Sequence, residues 1–147
     1  MIRFTIPGKP QGKGRPRFTK MGHAYTPEKT VAYEKAVGFA ARVGMGDMPI
    51  FTGPLEVHLD VRLQPVTSAS KKAREAMLKG ETLPAKKPDL DNLIKGVLDG
   101  MNGIVYVDDC QVCRLVVEKR YAEVEGVDVW IGPINKSTKE TENATQG

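Results

Sequence analysis

Leu55-Glu56-Val57-His58-Leu59-Asp60-Val61-Arg62-Leu63 alternates apolar and polar residues without a break. Successive side chains of a β-strand point to opposite faces, so the five apolar residues share one side of a half-buried strand. Working outward, Ile2, Phe4 and Ile6 alternate with Arg3 and Thr5, which predicts a first strand. Ile104–Val107, Gln111–Tyr121 and the segment holding Val127, Val129 and Ile131 read as further strands. Helical spacing lies between them. Leu90, Leu93, Ile94, Val97, Leu98 and Met101 fall on one helix face, and Asn102-Gly103 stops the run. Ser68 to Lys79 predicts a weaker, charged helix ended by Gly80. Thr26-Pro27-Glu28 reads as a helix start with Thr26 as cap and Pro27 in the first turn. That helix is expected to turn Val31, Ala32, Ala36, Phe39 and Ala40 to the core and to end at Gly44, Gly46 and Pro49. The element order predicts an α/β (α+β) fold, with one mixed sheet covered by helices in a single domain over residues 1–134. Residues 135–147 are polar and are expected to form a disordered tail.

Composition narrows the function classes. The chain has 147 residues, enough for one core and too few for two domains. No apolar run is long enough to span a bilayer, and Met1–Ile6 is strand-like rather than a leader, so a cytoplasmic protein with no membrane partner is expected. Cys110 and Cys113 are too few for a disulfide scaffold. A net charge of +4 permits an anionic partner, and its distribution says more. Lys9, Lys13, Arg15, Arg17 and Lys20 crowd the loop Pro7–Pro27, which lacks periodicity. Lys71, Lys72, Arg74, Lys79, Lys86 and Lys87 form a second basic stretch, whereas acids gather at Asp89–Asp109. Basic surface around an acidic centre is what a metal-dependent nuclease needs. Lys13, Arg15, Arg17, Lys86 and Lys87 are the expected DNA contacts.

The acidic centre begins in Lys86-Lys87-Pro88-Asp89-Leu90-Asp91-Asn92-Leu93-Ile94-Lys95. Pro88 sets the helix start, Asp89 sits at its mouth and Asp91 in its first turn; Asp91, Asn92, Lys95 and Asp99 share a polar stripe. Ordinary roles exist for each: aspartate caps helices, and Asp91 with Lys95 makes an i,i+4 ion pair of about 0.3–0.5 kcal/mol. Asp108-Asp109 lies between apolar strand segments where aspartate is depleted, and either a turn or a cation site accounts for it. Mg²⁺ suits such carboxylates, since it takes oxygen ligands and keeps waters beside substrate phosphate. Lys95 is placed to neutralise the scissile phosphate or protonate the leaving oxygen. Other motifs fail. Gly8–Gly14 is too short for a phosphate loop, Cys110-Gln-Val-Cys113 has no second ligand pair, and Pro88-Asp89 with Glu118-Lys119 lacks the residue that a PD…(D/E)xK pattern requires.

The run Lys87-Pro88-Asp89-Leu90-Asp91-Asn92, Lys95 and Asp108-Asp109-Cys110-Gln111-Val112 resembles the RusA family of Holliday-junction resolvases, especially its phage and prophage members. Pro7-Gly8-Lys9-Pro10 and Lys13-Gly14-Arg15-Pro16-Arg17-Phe18 extend the resemblance to roughly residues 2–132. It implies a RusA-like fold and a homodimeric endodeoxyribonuclease that resolves four-way DNA with Mg²⁺, Mn²⁺ being the alternative metal. By position it implies Asp89, Asp91 and Asp109 as metal carboxylates and catalytic residues, Lys95 as the catalytic lysine and Asp108 in support. A dimer also suits paired symmetric nicks, because one chain carries one set of carboxylates. The alternatives are a DNA-binding accessory protein without catalysis and a metal nuclease acting on another branched nucleic acid.

Overall fold

The computed structural model of the chain describes residues 1–134; the expected tail, 135–147, lies outside the described residues. In chain order the elements are β1 (Ile2–Pro7), β2 (Arg17–Phe18), β3 (Ala24–Tyr25), α1 (Glu28–Met45), β4 (Leu55–Leu63), α2 (Lys71–Leu78), α3 (Leu90–Met101), a 3-10 turn (Asp109–Gln111), β5 (Val112–Tyr121) and β6 (Gly126–Pro133). The alternation in β4 becomes strict: its five apolar residues are buried and the four polar residues between them are half-buried. β1, β4, β5 and β6 form one mixed sheet in the order β1-β6-β4-β5, antiparallel except for the parallel pair β4–β5. A parallel pair needs a crossover, and α2 and α3 supply it.

Helices cover one face of this sheet. Leu93, Val97 and Met101 of α3 and Tyr33, Val37 and Ala41 of α1 pack with Ile6, Val57, Val61, Val129 and Ile131 in one core. α1 crosses α3 closely because Gly100 meets Val37; a Cβ on Gly100 would lie 2.6 Å from that of Val37. Gly44 gives similar room to Phe4 of β1, with 2.8 Å left for a Cβ. The other face is polar and paired: Arg62 with Asp128 at 3.2 Å, Arg120 with Asp60 at 2.8 Å, and Glu56 with His58 at 2.9 Å. Arg3 stacks over Trp130 at 4.8 Å.

Several expectations shift. α1 begins after Pro27, the residue at its N-cap position, and buries Thr30, Tyr33, Val37, Gly38, Ala40, Ala41 and Met45. Of the predicted core residues only Ala40 is buried; Val31, Ala32, Ala36 and Phe39 face out, Phe39 being 71% exposed. On that face Gly38 admits Ile104 and the Gly100 carbonyl, and Gly44 admits Phe4, where a larger side chain would clash. Gly44 lies inside the helix, and Gly46 (φ 53°) ends it. Ile104–Val107 is a turn rather than a strand, with Tyr106 bridging to Phe51 and Asn102. Asp109–Gln111 is a 3-10 turn, so β5 starts one residue later than predicted. The N-terminal loop contains the short β2–β3 hairpin. Among the described residues no helix is long and apolar enough to cross a membrane.

Candidate active site

The N-terminus of α3 carries the first acidic pair. Asp89 occupies the N-cap position, where an extended φ and ψ (−66°, 143°) let its carbonyl accept from Leu93 N at 3.0 Å. Its carboxylate makes no capping hydrogen bond. Asp91 is exposed in the first turn, and Lys95 is exposed one turn on. Among the described residues these two form no ion pair, so neither ordinary role is taken up. A carboxylate at a helix N-terminus interacts favourably with the helix dipole, and one without a capping bond is free to meet a cation or a donor.

The N-terminal loop is seated on the same helix. Lys13 N donates to Asn92 O at 3.0 Å, and Gly14 N donates to Thr30 Oγ1 at 2.9 Å. Gly12 passes so near Asn92 that a Cβ would lie 3.1 Å from its Cβ. Lys9, Pro10, Gln11, Gly12 and Lys13 then face Lys87, Pro88, Asp89 and Asn92 across a pocket of about 360 Å³. Two basic stretches far apart in sequence thus meet beside Asp89. Arg15, Arg17, Lys86 and Lys87 are exposed. Lys86 Nζ lies 5.9 Å from the ring centre of Tyr121, and Lys119 Nζ donates to the carbonyls of Lys86 (2.7 Å) and Pro88 (3.1 Å).

Lys13 is placed differently from the loop's arginines. Its ammonium is held between Asp99 of α3 and Glu34 of α1, the latter at 3.3 Å. The Asp99 hydrogen bond, aided by Glu34 against partial burial, raises its pKa above the usual lysine value. Lys13 therefore fixes the loop to the two helices, while Arg15 and Arg17 are presented outward.

The second acidic pair stands beyond the other end of α3. Tyr106 donates its hydroxyl to Leu98 O at 2.6 Å and anchors the loop after the helix. Gln111 then pins the acidic turn. Its Oε1 accepts from Val107 N (2.9 Å) and Asp108 N (3.1 Å), and its Nε2 donates to Phe51 O (3.0 Å) and Gly53 O (3.2 Å). Asp108 and Asp109 act on each other directly: the contact holds Asp108 below the ordinary carboxylate range and pushes Asp109 above it, burial and the charge of Asp99 adding to the latter. Like charges this close favour a proton or a cation between them.

One chain does not assemble all of the expected ligands. The charges acting on Asp109 are those of Asp108 and Asp99, and Asp91 lies eight residues from Asp99 along α3, about 12 Å by helical rise. Among the described residues no three His, Cys, Asp or Glu side chains converge closely enough to hold a metal ion. The donor types fit a hard cation, since all are carboxylates, but within the single chain they stand in two groups. Asp99, Glu34 and Gln111 are the residues that sequence reasoning passed over as site components. The position of Asp99 on the polar stripe with Asp91 and Lys95 was the available signal for one of them.

Comparison with known proteins gives the family. A family model described as "Endodeoxyribonuclease RusA" matches residues 7–132. A Bacillus subtilis (strain 168) protein, "Uncharacterized protein YqaN", is 37% identical over 139 residues, covering 91% of this chain and 97% of that protein.

Proposed function

The chain belongs to the RusA family of endodeoxyribonucleases, and from that premise we propose that it is a divalent-metal-dependent, structure-specific endonuclease that resolves Holliday junctions by paired symmetric nicks, in DNA recombination and repair. RusA-family resolvases are generally divalent-metal dependent. The observation that carries the reading for this chain is the uncommitted carboxylate of Asp89, at a helix mouth with Asp91 and Lys95 beside it and a basic loop laid across it. An aspartate kept only for helix capping would bond to the backbone amides of the first turn.

In this reading Asp89, Asp91 and Asp109 hold Mg²⁺, with Mn²⁺ as the alternative. The metal, when bound, supplies Lewis acidity and an activated water. The chain's own groups do the rest. Arg15, Arg17, Lys86 and Lys87 hold backbone phosphates, and Lys13 keeps the loop in place for them. Lys95 neutralises charge on the scissile phosphate and donates a proton to the leaving oxygen. Gln111 fixes the turn that carries Asp108 and Asp109 to the segment at Phe51 and Gly53. The protein works as a homodimer, giving two centres for two cuts. Among the described residues Asp89, Asp91 and Asp109 do not converge on one point, and in this reading the homodimer completes the site. A DNA substrate in recombination places it in the cytoplasm.

The test is cleavage of an end-labelled four-way junction, with and without Mg²⁺, by wild type and Asp91→Asn. Symmetric metal-dependent nicks that disappear in the variant, with junction binding retained, are expected. Undiminished cutting by the variant removes Asp91 from the site, and metal-independent binding without any cutting leaves a DNA-binding protein only.

A further inference from the structure

β5 is the outer strand on one side of the sheet, and among the described residues no further strand pairs with its outer edge. Leu115 and Val116 are 36% and 44% exposed, and among the described residues no backbone hydrogen bond outside the sheet involves residues Cys113–Arg120. A long edge strand with exposed apolar side chains is a template for another strand, which proteins normally blunt or pair. Its own sequence says which strand fits.

We propose that two copies of this chain pair through β5, antiparallel, about a two-fold axis through Val116, so that their two four-stranded sheets become one. The inference rests on the dimer of the preceding section and supplies its surface. In an antiparallel pair, directly opposite residues share a face and interact, and a two-fold through one residue sets every other pairing. With the axis at Val116, Arg114 lies opposite the partner's Glu118, and symmetry repeats the pair. Leu115 lies opposite the partner's Val117, also twice, and Val116 meets its own copy. Charge and apolar contact are both satisfied. Other positions for the axis fail. An axis at residue 114 sets Arg114 on itself, at 117 it sets Arg114 against Arg120, at 118 it sets Glu118 on itself, and at 115 it leaves Arg114 against Val116 with no opposite-charge pair. Like charges directly opposite are destabilising, so the strand selects one register against its neighbours.

Within the described chain, one of the needed groups is unpaired and the other holds a single long contact. Among the described residues Glu118 has no salt-bridge partner, and Arg114 touches only Glu56, at 3.5 Å. The register also has a consequence for the acidic groups. Lys119, which holds the Pro88 carbonyl, lies opposite Cys113 of the other copy. The mouth of α3 in one copy is thereby turned toward the end of β5 that follows Asp108 and Asp109 in the other.

Sedimentation velocity over a concentration series tests this for wild type, Arg114→Glu, Glu118→Arg, the double variant and Val116→Lys, with thermal melts to confirm folding. Wild type should be a dimer at micromolar concentration. Each single charge reversal turns two attractive pairs into two repulsive ones and should weaken association by at least roughly tenfold. The double variant restores complementarity and should return to within about threefold of wild type. Val116→Lys places two ammonium groups at the axis and should give a folded monomer. Glu118→Arg is the cleanest arm, because Glu118 has no ion-pair partner within the described chain. If wild type dimerises and the single variants associate equally well, this interface is wrong while the dimer itself stands. A double variant that stays dissociated overturns the register, and a monomeric wild type overturns the dimer reading along with the interface.

Discussion

Replacing Gly100 by alanine tests the crossing on which the site's framework is built. An added Cβ would sit 2.6 Å from Val37 Cβ, 2.7 Å from Val37 Cγ1 and 3.2 Å from the Glu34 carbonyl oxygen. Real Cβ atoms do not approach the Val37 atoms that closely, and Val37 Cβ and the Glu34 oxygen are held by the backbone and cannot swing aside. Overpacking of this kind costs about 1–3 kcal/mol. Alanine returns up to about 1 kcal/mol through its better helix propensity. The net expectation is a loss of about 1–2 kcal/mol, read as a fall in Tm of roughly 3–8 °C for a domain of this size. Gly96 in the same helix is the control. A Cβ there would meet Gln11 O at 3.5 Å and Lys13 N at 3.7 Å, ordinary contact distances, so Gly96→Ala should leave stability unchanged or raise it by about 0.4–1 kcal/mol. Urea unfolding of both variants beside wild type gives the answer. Gly100→Ala at or above wild-type stability would refute the close α1–α3 packing, as would Gly96→Ala behaving as the worse of the two.

Four further outcomes follow from the site. Asp89→Asn and Asp109→Asn should each lower junction cleavage by at least roughly 100-fold while gel-shift affinity is kept, since each removes a charge that a metal requires. Arg15→Ala and Arg17→Ala should each reduce the slope of log K against log salt by about one, measured by anisotropy over a salt series; unchanged slopes would take these residues off the phosphates. Lys13 has a folded pKa raised above the ordinary value of 10.5, so its contribution to stability is complete below that pH and is lost as pH rises through the folded value. The Tm gap between wild type and Lys13→Met should therefore narrow above about pH 10.5, and a gap that widens there would contradict the Asp99–Lys13–Glu34 contact. Gln111→Ala removes all four hydrogen bonds holding the acidic turn and should cost about 1–3 kcal/mol in urea unfolding, with reduced cleavage at saturating DNA.

Local pattern carried a large part of this structure. β1, β4, β6 and α3 follow from periodicity because each has one buried face against a broad, flat neighbour, where alternation or helical spacing is undiluted. α1 was legible as a helix but not in its orientation. Its inner face is chosen by how near Gly100 and Phe4 come, a tertiary constraint that favours Gly38, Ala41 and Gly44 over Phe39. Ile104–Val107 looks like a strand by composition, yet Tyr106 is drawn back onto Leu98 and Asn102, which closes a turn. At the site, Asp89, Asp91 and Lys95 were legible from their positions at a helix start. The role of Lys13 was not, because its partners Asp99 and Glu34 are remote in sequence and belong to two different helices. The separation of Asp109 from Asp89 was equally hidden, since it depends on the length of α3 and the path of the turn after it.

The position of β6 between β1 and β4 bears on how the protein is made. β1 occupies residues 2–7 and β4 residues 55–63, but neither touches the other in the finished sheet. The strand that joins them is built from residues 126–133. A ribosome must therefore deliver nearly every described residue before the central seam can close, and until then β1 has no hydrogen-bonding neighbour in the sheet. At ordinary synthesis rates of about 5–20 residues per second, the first strand waits for several seconds. During that interval α1, and later α3 packed against it, is the part able to shelter it, with Phe4 fitted to the gap at Gly44. β1 thus joins the sheet only after β6 has been made, whereas β4 and β5 can pair before it.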